Sequence, residues 1–174
     1  MACSGCGGLL APWGHARARV LRGEDRRSAF RPRRGRCRSC LVTHVLLPDF
    51  CLARRRDRVE VIGAAMAAKA AGDGCGRIAQ RIDVPAETVR GWLRRFGSAA
   101  DRIRSHFTAW AHHLDPAQVP IAPAGSVVGD AIEAIGMAAR AATLRFGPRP
   151  AWGWASAMSG GWLLATRTHL WPTP

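Results

Sequence analysis

Two pairs of cysteines carry the clearest chemistry in the sequence, Cys3-Ser4-Gly5-Cys6 and Cys37-Arg38-Ser39-Cys40. Two residues between a pair of thiols let a tight turn aim both sulfurs at one tetrahedral ion, at about 2.3 Å each. Four thiolates close the coordination sphere of a single zinc ion and leave no position for a reacting water, so the expected site is structural. The pairs are separated by 30 residues, more than the roughly 15–20 of the common arrangement. The excess reads as an enlarged hairpin carrying ten arginines from Arg17 to Arg38. Gly5, Gly7 and Gly8 suit the turn of the first pair, whereas Leu41 follows the second. His15 and His44 are near enough in sequence to substitute as ligands, but four cysteines already complete a site. A thioredoxin-like dithiol needs a strand-to-helix setting to lower a thiol pKa, and neither pair has one. Cys51 and Cys75 stand alone and read as small buried apolar residues.

The second candidate lies in Cys75–Phe96, CGRIAQRIDVPAETVRGWLRRF. Ile78, Ala79 and Ile82 fall on one face of a short helix over Gly76–Ile82. Asp83-Val84-Pro85 is too short for anything but a sharp turn, with Val84 pointing inward. Pro85 before Ala86 fits a helix start, and Glu87 complements the helix dipole. In the next helix, Ala86–Phe96, the inner face is Val89, Trp92, Leu93 and Phe96. Trp92 and Leu93 are the expected anchors against Ile78, Ile82 and Phe107. Thr88, Arg90, Arg94 and Arg95 face outward. Two short helices joined by a brief turn, the second basic, match a helix-turn-helix whose recognition helix enters the major groove of double-stranded DNA. Arginine can hold guanine O6 and N7 bidentately, and threonine suits thymine or phosphate. The plainer alternatives are a solvated basic face or a protein-docking bundle.

Charge supports a polyanionic partner. The chain of 174 residues carries 26 Lys plus Arg against 12 Asp plus Glu, a net +14. Residues 1–60 hold 14 of the bases and 5 of the acids, while residues 115–174 hold 4 and 3. Arg54, Arg55, Arg56 and Arg58 are expected to open the first helix, where positive charge opposes the dipole. Stability therefore does not explain them, and contact with phosphates does. Arg31, Arg33, Arg34, Arg36 and Arg38 flank the second cysteine pair in the same way.

The elements that must position these groups follow from periodicity. Residues 1–50 form a small β zinc-ribbon-like module, with short strands at Ala16–Leu21 and Thr43–Leu47. Residues 54–114 form a helical domain, a helix-turn-helix bundle of three or four helices. Val59, Ile62, Gly63 and Met66 mark its first helix. Ile103, Phe107, Trp110 and Leu114 stripe its last, over Ser98–Leu114. Residues 115–126, with three prolines, read as a linker, and 127–146 as a further amphipathic helix through Val128, Ile132, Ile135, Ala139 and Ala142. Residues 147–174 are a tail with four prolines and four tryptophans, free either to pack on the body or to await a partner. The predicted class is mainly α with a small β module.

The chain resembles a group of actinobacterial proteins of unknown function that pair an N-terminal CxxC/CxxC module with a helix-turn-helix and are often linked to mobile elements. The residues carrying the resemblance are the four paired cysteines, Arg36–Phe50, Arg54–Ala65 and Arg77–Phe96. The helix-turn-helix part is similar to the N-terminal domains of insertion-sequence transposases. The resemblance implies DNA binding in transcription regulation or transposition, with no catalytic residues to carry over. A transposase or another protein is then a candidate partner for the tail. Two other readings compete: a non-enzymatic adaptor, and an accessory or remnant of a transposase lacking its catalytic domain.

No enzyme is expected. An acidic-triad nuclease needs carboxylates on a mixed α/β core, and only Asp101, Asp115, Asp130 and Glu133 follow the helix-turn-helix segment. Ser159-Gly160-Gly161 has no neighbouring base, and His112-His113 reads as a polar helix face. The N-terminus lacks a signal-peptide pattern. The apolar stretches at Val59–Ala71 and Val127–Leu144 are too short or too charged to span a membrane. A bacterial cytoplasmic protein, associated with the nucleoid when bound, is the expectation.

Overall fold

The computed structural model of the chain describes residues 1–23, 27–119, 122–165 and 171–174. Among them, five short strands precede six helices. The strands are β1 (Leu10–His15), β2 (Arg19–Arg22), β3 (Arg27–Phe30), β4 (Arg33–Cys37) and β5 (Thr43–Leu46). The helices are α1 (Val59–Ala70), α2 (Cys75–Arg81), α3 (Ala86–Gly97), α4 (Ala100–Leu114), α5 (Val127–Phe146) and α6 (Ala151–Met158). The class is mixed, a largely helical body with small antiparallel sheets.

β4 is the centre of a three-stranded sheet in the order β1-β4-β5. Its antiparallel registers set Cys37 opposite Leu10 and Gly35 between Pro12 and His44. The strand expected over 16–21 is found at Arg19–Arg22, paired with β3 in a separate two-stranded ribbon. The far end of that arginine-rich hairpin, residues 24–26, lies outside the described residues.

The ribbon is fastened to the helical body just before α1. The Arg22 amide donates to the Arg56 carbonyl (2.7 Å) and the Arg58 amide to the Arg22 carbonyl (3.0 Å). The Arg22 guanidinium meets Asp57 at 2.8 Å, and Asp57 is only 2% exposed. Leu21 is fully buried, and the Phe30 ring packs edge-on against Phe50 with centroids 5.2 Å apart. These bonds explain a departure from the sequence reading. Arg54, Arg55 and Arg56 do not open a helix, because their backbone belongs to this junction. Arg54 takes a left-handed φ of 58°, and α1 begins only at Val59.

The body follows the periodicity more closely. α3 buries Val89, Trp92 and Phe96, while Leu93 is half-buried beside them. α4 buries Ile103, Phe107 and Ala111, with Trp110 and Leu114 packed partly against the same core. α5 lies along α4 through a surface of alanines, opening on Ser126, whose hydroxyl accepts the Gly129 amide at 3.0 Å. None of the described helices is long and apolar enough to cross a membrane.

The C-terminal stretch packs on the body instead of standing free. Trp154, Leu163 and Leu164 are buried in the core, and the buried Ser156 hydroxyl donates to the Cys51 carbonyl at 2.9 Å. The Ala53 amide donates to the Gly161 carbonyl (2.7 Å), and Arg149 pairs with Asp49 at 3.1 Å. Residues 166–170 of this stretch lie outside the described residues. Gly63 is the close-approach point: a Cβ built there overlaps the Trp152 indole.

Gly63→Ala is therefore expected to cost about 1–3 kcal/mol, the range for overpacking a filled core, read as a lowered midpoint in urea. The same change combined with Trp152→Ala is expected to cost less than the two single changes added. Full additivity would show that residues 151–165 do not rest on α1.

Candidate metal centre and basic face

The four paired cysteines converge on one point. Their sulfurs all lie within 4.8 Å of one another, with Cys6–Cys37 at 3.5 Å and Cys3–Cys40 at 3.7 Å. A tetrahedron with bonds of about 2.3 Å has edges of about 3.8 Å, so the donor set fits one metal ion. Cys3 and Cys37 are buried, whereas Cys6 and Cys40 are exposed. The centre is thus seated at the module's rim with two sulfurs turned inward.

Two matching turns present the sulfurs. The Gly7 amide donates to the Cys3 carbonyl at 2.9 Å, and the Leu41 amide to the Cys37 carbonyl at 3.1 Å. Gly7 and Leu41, each following the second cysteine of its pair, have φ of 72° and 61°. Glycine takes that conformation at little cost, while leucine pays roughly 1–2 kcal/mol for it. The Gly5 and Cys40 amides point at the Cys3 and Cys37 sulfurs at 3.4 and 3.5 Å. The Cys40 amide is the main reason the Cys37 thiol is drawn down to about 6. Cys40 moves the opposite way, to about 12: the Val42 amide lowers it, but the Cys6 sulfur, burial and the Cys37 sulfur outweigh that. Thiols become metal ligands by losing their protons, so a dication held by this donor set would bind more tightly as pH rises.

Of the two histidines near in sequence, His44 reaches the cluster. Its Nε2 lies 3.2 Å from the Cys3 sulfur. Position on β5 opposite Gly35 brings it there, a register that no local pattern announces. Cys51 is buried and its thiol donates to the Pro48 carbonyl at 3.3 Å; Cys75 is partly buried.

The arginines singled out in the sequence fall into two sets. On α3, Arg90 and Arg94 are exposed and one turn apart, Thr88 is half-buried, and Arg95 folds back to donate to the Gly91 carbonyl at 2.9 Å. α2 and α3 are joined through Ile82-Asp83-Val84-Pro85, with Asp83 at a left-handed φ of 50° and Val84 buried. In the junction before α1, Arg54 and Arg56 are exposed. Arg55 is not: its guanidinium donates to the Leu164 carbonyl at 3.2 Å, and burial, then the nearby charges of Arg95 and Arg54, lower its pKa. The two sets therefore meet where Arg55 approaches Arg95. Arg19, which sequence reasoning did not single out, joins them by donating to the Arg55 carbonyl at 2.8 Å across 36 residues.

A four-cysteine centre on a small β module, fastened to a helical body that carries a basic amphipathic helix, defines the class of this protein. The chain belongs to the family described as a domain of unknown function, DUF6431, whose match covers residues 3–92. That span opens on the first cysteine of the centre and closes on Trp92 in the middle of α3. Neither the curated proteins nor the solved structures contain a match to it.

Gly8 sets how closely the two turns approach. A Cβ there would stand 2.5 Å from the Ser39 hydroxyl and 3.0 Å from the Cys37 sulfur, whereas one at Gly5 meets only the Cys3 sulfur, at 3.8 Å. In a cobalt(II) titration the wild-type protein is expected to show thiolate charge-transfer bands saturating at about one equivalent. Gly8→Ala is expected to weaken binding at least tenfold and Gly5→Ala less than threefold. Equal affinities for the two variants would show that the turns do not close on a common ion.

Proposed function

We propose that this chain is a non-enzymatic, zinc-containing DNA-binding protein, in which α2, the turn and α3 act as a helix-turn-helix on double-stranded DNA. The division of α3 carries the reading. Its apolar face is fully engaged by Val89, Trp92 and Phe96, so the outward side chains of Arg90 and Arg94 are not needed for packing. Arg90 comes no closer than 4.0 Å to Glu87, and both are exposed, so that ion pair holds it only weakly.

In this reading Arg90 and Arg94 address base edges in the major groove, with Thr88 and Arg95 supporting at its rim. Arg54 and Arg56 meet phosphates beside them. Arg55, assigned to phosphate from the sequence, acts instead as the post that holds this junction against Leu164. One zinc ion on Cys3, Cys6, Cys37 and Cys40 is structural. A bacterial, cytoplasmic regulator or a targeting protein associated with a mobile element suits this equipment.

The test is a titration of duplex DNA, random and site-selected, at several salt concentrations. Arg90→Ala is expected to cost about 1–3 kcal/mol on the selected site and little on random duplex. Arg56→Ala is expected to weaken both alike and to reduce the salt slope by about one unit. Identical behaviour of the two variants would reduce α3 to another basic surface, and undiminished binding in both would favour a protein-docking role.

A further inference from the structure

The sheet of the cysteine module carries a feature that neither the metal centre nor α3 uses. In β1 the register moves from Pro12 opposite Gly35 to His15 opposite Arg33, so three steps on one strand match two on the other. The extra residue is a bulge, with Gly14 at a left-handed φ of 74°. The bulge lifts Trp13 out of the sheet and leaves it 51% exposed. Its indole is not loose, because the Arg36 guanidinium lies 4.6 Å from the ring centroid and is itself held by donation from its Nε to the Leu41 carbonyl at 3.2 Å.

The surroundings are basic. The Arg34 Nε is buried without a hydrogen-bond partner among the described residues. The only acids among residues 1–48 are Glu24 and Asp25, and no described carboxylate pairs with Arg33, Arg34, Arg36 or Arg38. An exposed aromatic ring backed by a guanidinium, on a sheet whose arginines no described carboxylate neutralises, is complementary to a ligand with flat apolar faces and a run of negative charge.

We propose that Trp13 and Arg36, with Arg34 beside them, form a binding site for single-stranded nucleic acid, separate from α3. One unpaired base stacks on the indole face opposite Arg36, and Arg34, across from the bulge on β4, meets the connecting phosphate. A duplex offers side chains only the edges of its bases, so a protruding indole finds no stacking partner there. An unpaired strand offers every base by its face.

The test uses the full-length, zinc-loaded chain and fluorescence anisotropy with labelled 12-mers of mixed sequence, as single-stranded DNA, single-stranded RNA and duplex DNA. Trp13→Ala is expected to weaken binding to a single strand about 5- to 150-fold, the range for losing one stacked base. Trp13→Phe should stay within a few-fold of wild type, and duplex affinity should change less than twofold for both. Loss on the DNA and RNA strands alike supports stacking alone; loss on one of them supports stacking with readout of the sugar. Unchanged single-strand affinity in Trp13→Ala, or an equal loss on duplex, overturns the proposal. Should Trp13→Ala lose its metal, photocrosslinking of wild type to a 5-iodouracil strand decides: adducts at Trp13 support the site, and adducts confined to α3 overturn it. A failure of Arg90→Ala to affect duplex binding would defeat the helix-turn-helix reading and leave this one standing.

Discussion

Convergence of four cysteine sulfurs on one point is the constraint from which the N-terminal third of the chain takes its shape. Little else can hold it. Its strands are four to six residues long, and the side chains it buries are few: Cys3, Leu21 and Cys37 are its buried hydrophobics before Cys51. Two of those three are members of the cluster. A module so thinly packed gains little from apolar burial, and in such small units metal binding supplies the folding free energy. The central strand β4 ends on Cys37, so the cysteine cluster that joins the two turns also fixes where that strand stops.

From that anchor, order passes to the helical body through a single junction. Arg22 and the buried Asp57 form its charged centre, and a carboxylate so enclosed is tolerated because it is paired and the strand beside it is hydrogen-bonded on both sides. The junction leaves Arg54 and Arg56 facing outward and draws Arg55 inward to Leu164. Arg55 in turn sits close to Arg95 of α3. The geometry thus gathers positive charge from the hairpin, the junction and α3 onto neighbouring surfaces, at a cost in mutual repulsion that a polyanion would relieve.

What could be read in the sequence was whatever depends on local spacing. The cysteine pairs announced a common centre because two intervening residues dictate a turn, and α2 to α5 lie close to the segments that periodicity marked. Partners distant in sequence escaped. β2 starts three residues later than expected and ends one later, since its register is set by pairing with β3 and by bonds to Arg56 and Arg58. The helical start expected at Arg54 gave way to the junction with Arg22. His44 reaches Cys3 only through sheet register, and the C-terminal stretch, without periodicity, revealed its place only through Trp152 against Gly63 and Ser156 against Cys51. The side chain most exposed to this limit was Arg55, whose sequence neighbours suggested phosphate and whose folded neighbours are Leu164, Arg19 and Arg95.

The most direct test of the account is X-ray absorption at the zinc edge on the protein purified without added metal or chelator. It should report one zinc per chain with four sulfur neighbours at about 2.3 Å. Protein free of zinc, or a first shell in which nitrogen or oxygen replaces sulfur, would contradict the account, because the turns at Cys3–Cys6 and Cys37–Cys40 would then lack the ion that joins them.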